Sequence, residues 1–217
     1  MPESGLVRPG FQMVKKIFSL DVEVDGLYGC SFAIAVTIRE WLPEVPGQIA
    51  QDMPGDFEKN RRFSWRETAR FEGRIPDSAV RNEWVQQNVL PAISDMVVTH
   101  NSSEDLEEAF WNFWMSNKDG ATVIAHCGSP VESGLFRRCV ERDLNGRQWN
   151  GPYPAIHDVS TVLMALGEQA DSADAYVKKY ELKVPFQGAT HHPSYDAIVA
   201  VVVWEHAWNR LTGDVRK

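Results

Sequence analysis

The sequence predicts an α/β domain in which helices pack on the faces of one mixed sheet, and three features carry that prediction. Residues 16–25 (KIFSLDVEVD) alternate apolar and polar with a period of two, the mark of a strand with one packed face. A second β-branched run, residues 30–39 (CSFAIAVTIR), follows the turn-like Asp25-Gly26 and pairs most simply as its antiparallel neighbour. Beyond residue 80 the spacing becomes helical, interrupted by two short apolar strands, so strands come first and then alternate with helices.

The individual elements follow in order. Residues 41–80 hold Pro43, Pro46, Pro54 and Pro76 and read as a long functional loop, with an edge strand over residues 61–71 (RRFSWRETARF). Helices are expected over 82–93, ending near Pro91, and over 102–116. In the second, Ser102 or Ser103 caps the start, and Leu106, Phe110, Phe113 and Trp114 form an apolar stripe. Residues 121–126 (ATVIAH) form a short buried strand, 130–144 a helix, 155–160 another short strand and 172–180 a helix. The run 193–211 contains IVAVVVW, which reads as a strand in isolation. Its length, Pro193 at a first helical position and Gly213 just past the end favour a buried helix.

With 217 residues, 43% of them hydrophobic, the chain can bury one substantial core, so a single domain is expected over 13–217. Residues 1–12, with two prolines and two glycines, read as a flexible extension. The net charge of −8 disfavours a protein that coats long stretches of nucleic acid, yet leaves room for an enzyme gripping a few nucleotides. Cys30, Cys127 and Cys139 have no metal-knuckle or redox spacing, which suits reduced thiols in the cytoplasm. No run has the ~20 apolar residues of a membrane span, and the N-terminus lacks a secretory apolar core.

The chemistry concentrates in three segments. Asp21 and Glu23 stand two apart on one strand, so both point to one face with Cα atoms roughly 6.6 Å apart, a spacing at which carboxylates can share hard divalent cations. Alone, the pair reads as easily as a solvated strand face. Near the other end, residues 191–196 (HHPSYD) put His191 five positions before Asp196, which opens an apolar helix: a fixed carboxylate, and an imidazole able to take a proton near neutral pH. Between them, residues 124–136 (IAHCGSPVESGLF) run from a buried strand into a helix whose first turn carries Glu132.

Taken in this order, the three segments resemble the motifs of the DEDDh branch of the DEDD exonuclease superfamily. Asp21-Val22-Glu23 is similar to the first motif, Ala125-His126 through Glu132 to the second, and His191 to Asp196 with Ala197 to the third; together they span residues 16–211. The resemblance implies a ribonuclease H-like sheet, three antiparallel strands and then two parallel ones, with helices on both faces. It further implies a 3′-to-5′ exonuclease acting on single-stranded RNA or DNA ends. Asp21, Glu23, Glu132 and Asp196 would hold two divalent cations, Mg²⁺ or Mn²⁺ from the all-oxygen donor set, and His191 would be the general base. Two departures stand out: Glu132 replaces the usual Asp, and Cys127 replaces the Asn that commonly follows the His. The segment Trp84-Val85 with Val89-Leu90-Pro91 is similar to a stretch of RNase AS-type exoribonucleases.

Substrate contacts are expected from Gly26 and Tyr28, where the backbone and a ring can approach a terminal nucleotide, and from His126. Arg61, Arg62, Arg137, Arg138, Lys178 and Lys179 are candidate phosphate contacts. A homodimer is a further expectation from the family. Two other classes stay open: a catalytically silent nucleic-acid-binding module, motivated by Glu132, and a proofreading or scaffold subunit of a polymerase, motivated by the cluster Phe110, Trp111, Phe113 and Trp114.

Overall fold

A computed structural model of the chain describes residues 16–41 and 63–212. The expected extension at 1–12 lies outside the described residues, as do 42–62 of the irregular stretch, including Arg61 and Arg62. The described chain is α/β, built on a five-stranded mixed sheet: β1 (Lys16–Val24), β2 (Ser31–Trp41), β3 (Phe63–Glu72), β4 (Ala121–Ala125) and β5 (His157–Asp158). The spatial order is β3-β2-β1-β4-β5, so the strands do not cross the sheet in chain order; β1 takes the centre. β2 runs antiparallel to β1 and to β3, whereas β4 is parallel to β1 and β5 to β4.

The alternation in β1 divides its side chains between two layers. Phe18, Leu20 and Val22 enter an apolar cluster with Phe110, Trp111 and Trp114 of α2 (Ser103–Asn117) and Leu135, Phe136 and Cys139 of α3 (Val131–Glu141). Ile17, with Ile124 of β4, joins the opposite cluster, formed by α5 (Val159–Ala165), α6 (Ala173–Lys179) and α7 (Pro193–Thr212). Helices therefore cover both faces. The long apolar run near the C-terminus is helical: α7 buries Ala197 to Val201, Val203 and Trp204, at about 1.5–3 kcal/mol for each fully buried Val or Ile. Phe110, Trp111 and Trp114 are buried, and Phe113 packs against them, so the aromatic cluster that suggested a docking surface serves as core.

Several expected boundaries shift for local reasons. The helix anticipated over 82–93 is two pieces, α1 (Asp77–Arg81) and a π-helical turn at Val85–Val89. Between them the Asn82 side chain accepts hydrogen bonds from the N–H groups of Trp84 and Val85, which ends one piece and starts the next. The helix expected over 130–144 stops at Glu141, and the Asp143 side chain, accepting from Gly146 N, opens a short α4 (Leu144–Arg147). The strand expected over 155–160 shrinks to two residues because Asp158 accepts from the Ser160 N–H and caps α5.

One buried charge is fully partnered. Glu107 of α2 is 1% exposed and receives Ser31 Oγ of β2 at 3.0 Å, Arg138 Nε of α3 at 2.8 Å and Arg142 Nη2 at 2.5 Å. This node ties β2, α2 and α3 together, and it occupies Arg138, one of the candidate phosphate contacts. Lys179 pairs with Glu168, and Arg137 with Glu141 on its own helix.

Candidate functional site

The central strand, the start of α3 and the start of α7 bring the expected carboxylates to one end of the sheet. Asp21 and Glu23 lie on the face of β1 that also carries Ile17 and Ser19, against α7. Asp196 sits in the first turn of α7, and its Oδ2 accepts the His191 N–H at 2.8 Å. Glu132 occupies the first turn of α3 and is 3% exposed. It reaches the site from the other layer because the β1–β4 ladder ends at Ser19 and Ile124. Beyond that point the Val22 N–H, together with the N–H of Glu132 itself, is available to its carboxylate.

Close packing fixes the approach of Glu132. The loop from β4 to α3 passes Cys127 at φ 56° and then Gly128, where an added Cβ would lie 2.9 Å from Ala125 Cβ and 3.9 Å from Glu132 Oε2. Even so, Glu132 Oε2 is buried without a hydrogen-bond partner, as are Ser19 Oγ on β1 and Ser194 Oγ at the start of α7. Such atoms cost free energy unless something meets them.

The electrostatics have one sign. Burial pushes the Asp21 carboxyl well above its usual range, and the charges of Asp196, Glu23 and Glu132 push it further. Burial and Asp196 raise Glu23 to about 8. Glu132 rises to about 8, through burial first; the two backbone N–H groups oppose the shift, and Glu23 and Asp158 add to it. Asp196 rises to about 7 through burial, against the His191 N–H and with help from Asp174. No cation from the described residues is among the charges acting on these four groups. Among the described residues no three His, Cys, Asp or Glu side chains are grouped closely enough to form a ready-made metal cage. All-oxygen donors, uncompensated charge and an orphaned buried oxygen fit hard divalent cations.

His191 adopts φ 68°, a left-handed backbone rare for a residue with a side chain. Its ring packs edge-on against Trp84, with centroids 5.1 Å apart, and burial lowers its pKa while Asp174 acts in the opposite sense. His192, its neighbour, turns instead to Asp95 at 3.2 Å, which also meets Arg70 at 3.2 Å. Asp174 braces this loop, accepting from Thr190 Oγ1 at 2.7 Å and Tyr195 OH at 3.2 Å.

Of the expected substrate residues, Gly26 takes φ 73° in the turn after β1, and Tyr28 is 82% exposed beyond it. His126 is half-buried, with Nε2 at 2.8 Å from the Ala170 carbonyl. Sequence reasoning missed Asp158, Asp174 and the contact of Trp84 with His191. The two aspartates stand beside helix starts, where acidic residues are commonplace, and Trp84 lies too far along the chain from His191 for any local pattern to join them. No family model matches the chain, and no curated protein matches it.

Proposed function

We propose that this pocket hydrolyses phosphodiester bonds at the 3′ end of single-stranded RNA or DNA, releasing nucleoside 5′-monophosphates, with divalent cations held by Asp21, Glu23, Glu132 and Asp196. The observation that carries the reading is that four buried carboxylates from three elements lie close enough to raise one another's pKa, with no cation from the described residues beside them. A mixed sheet with β1 at its centre and helices on both faces is consistent with a ribonuclease H-like arrangement, and it puts Asp21 and Glu23 on the most firmly held strand. Mg²⁺ or Mn²⁺ bound there would supply activation of water and neutralisation of charge on the leaving oxygen.

The protein's own groups divide the remaining work. Asp21 and Glu23 are fixed by the sheet, and Asp196 by the His191 N–H, so the donors are oriented before a substrate arrives. His191 takes the proton of the attacking water at a ring nitrogen; the burial that lowers its pKa keeps the imidazole neutral at working pH. Trp84 limits the tilt of that ring. Gly26 and Tyr28 follow Glu23 in the turn after β1, and Tyr28 offers an exposed ring for stacking a terminal nucleoside.

A second reading, a silent nucleic-acid-binding module, draws on the absence of a ready-made three-residue cage among the described residues. One assay separates the two: 3′-labelled single-stranded RNA and DNA incubated with Mn²⁺ or EDTA, beside Asp21→Ala. Cation-dependent release of mononucleotide that vanishes in the variant is expected. Release in EDTA, or equal release by the variant, would overturn the mechanism, and binding without release would favour the silent module.

A further inference from the structure

A cleft of about 380 Å³ opens just past the end of β3, lined by Arg74, Arg81 and Asp77 on one side and Asn101, Ser102 and Ser103 on the other. We infer that it is a phosphate site for the substrate strand, taking a backbone phosphodiester upstream of the bond cut at the carboxylates. The assignment deepens the nuclease reading and rests on it.

The guanidinium groups make the case. In a chain of net charge −8, each other arginine whose side chain is described lies within ion-pair distance of a carboxylate. Arg74 and Arg81 have no such partner among the described residues, although they come from different elements, and both line this one cleft. The Ser103 hydroxyl and the Asn101 amide on the facing wall are likewise unpartnered there, while Ser102 Oγ already accepts the Asp105 N–H at 3.1 Å. Two exposed forks with further neutral donors opposite are suited to a phosphodiester, which accepts bidentate guanidinium hydrogen bonds. Asp77, the one carboxylate on the lining, limits the charge the cleft will accept.

Its location suits a strand whose 3′ end sits at Asp21 and Glu23. The Gly73 N–H bonds the Phe32 carbonyl at 2.8 Å, and Gly73 bridges His100, so Arg74 and Asn101 both leave the sheet at the end where the carboxylates lie. Ser78, also on the lining, donates to Asp25, two residues past Glu23. The cleft thus stands about two strand spacings, ~10 Å, across the sheet from β1.

The test is fluorescence anisotropy of a labelled single-stranded pentanucleotide, RNA and DNA in turn, titrated with the full chain in EDTA over a series of NaCl concentrations. Arg74→Ala/Arg81→Ala should weaken binding about tenfold or more and flatten the plot of log affinity against log salt by about 0.7 for each phosphate that the variant no longer neutralises. Arg74→Lys/Arg81→Lys should recover part of the affinity, and Lys118→Ala, past the far end of α2 from the cleft, should leave binding unchanged. Unaltered affinity and slope in the double alanine variant, or an equal weakening in Lys118→Ala, would overturn the assignment. Nucleotide release in Mn²⁺ separates this from the parent reading. Arginine-dependent binding with no release by the wild type would leave the phosphate site standing and remove the nuclease. Release by both proteins with the same KM would do the reverse.

Discussion

Glu107 and Glu132 are both buried carboxylates on helices packed against the same face of the sheet, yet their surroundings are opposite. Two arginines and a serine surround Glu107, and both of its oxygens have partners. Glu132 has an unpartnered oxygen, and the charges of Glu23 and Asp158 oppose its own. The fold can satisfy a buried acid where the acid is structural, since breaking such a pair leaves a stranded charge. At the sheet end it instead gathers acids with no counter-charge from the described residues, which is intelligible if a cation binds there.

Exchanging carboxylates for amides sharpens the contrast most, because the two regions should respond with opposite signs. Asp21→Asn is expected to cut nucleotide release by at least about 10³-fold, the scale of losing a preorganised electrostatic group. The same change should raise Tm in EDTA, since it removes a charge that burial and three neighbouring acids disfavour. A lower Tm for this variant would break the comparison. Glu107→Gln should do the converse, costing about 3 kcal/mol in urea unfolding, with release per folded molecule falling far less.

The pH dependence is a milder probe. A carboxyl whose folded pKa lies above its unfolded value binds more protons in the folded state, so its contribution to stability is complete below the unfolded pKa and is lost as pH rises through the folded one. In EDTA, Tm should therefore decline from about pH 4 upward, through about 7 for Asp196 and about 8 for Glu23 and Glu132. Scanning calorimetry with Mn²⁺ should show that decline flattened, because cations replace the protons. Identical curves with and without the cation would remove the metal from the account. Smallest of all is Trp84→Ala: removing an aromatic pair worth about 0.5–1.5 kcal/mol should lower kcat up to about tenfold with little change in KM, and Trp84→Phe should restore most of it.

What the sequence made legible follows the reach of local patterns. Period-two alternation put Asp21 and Glu23 on one face, and an apolar helix opened by Pro193 placed Asp196 in its first turn; both hold in the structure. The same local logic failed at 155–160, where a single Asp158 side chain converts a β-like run into a helix cap. Nor could it see Glu107, whose helix reads as plainly amphipathic until Arg138 and Arg142 are brought from α3 and the residue beyond it. The pairing of Trp84 with His191 and the shared cleft of Arg74 and Arg81 with Ser103 are likewise products of the tertiary fold.

The central place of β1 also bears on how the chain acquires its site. β2, on one edge of β1, is its neighbour in sequence, whereas β4 on the other edge and α7 on the Asp21 face come from later in the described chain, α7 from its far end. Contacts this remote in sequence slow folding, because loop-closure entropy must be met before they form. Asp196 rides on that docking and His191 on the loop before it, so a chain with the sheet formed and α7 undocked would hold three of its four acids and lack the proposed base. On the proposed reading, cation affinity would then rise as α7 docks, making it a reporter of complete folding as well as a requirement of the proposed reaction.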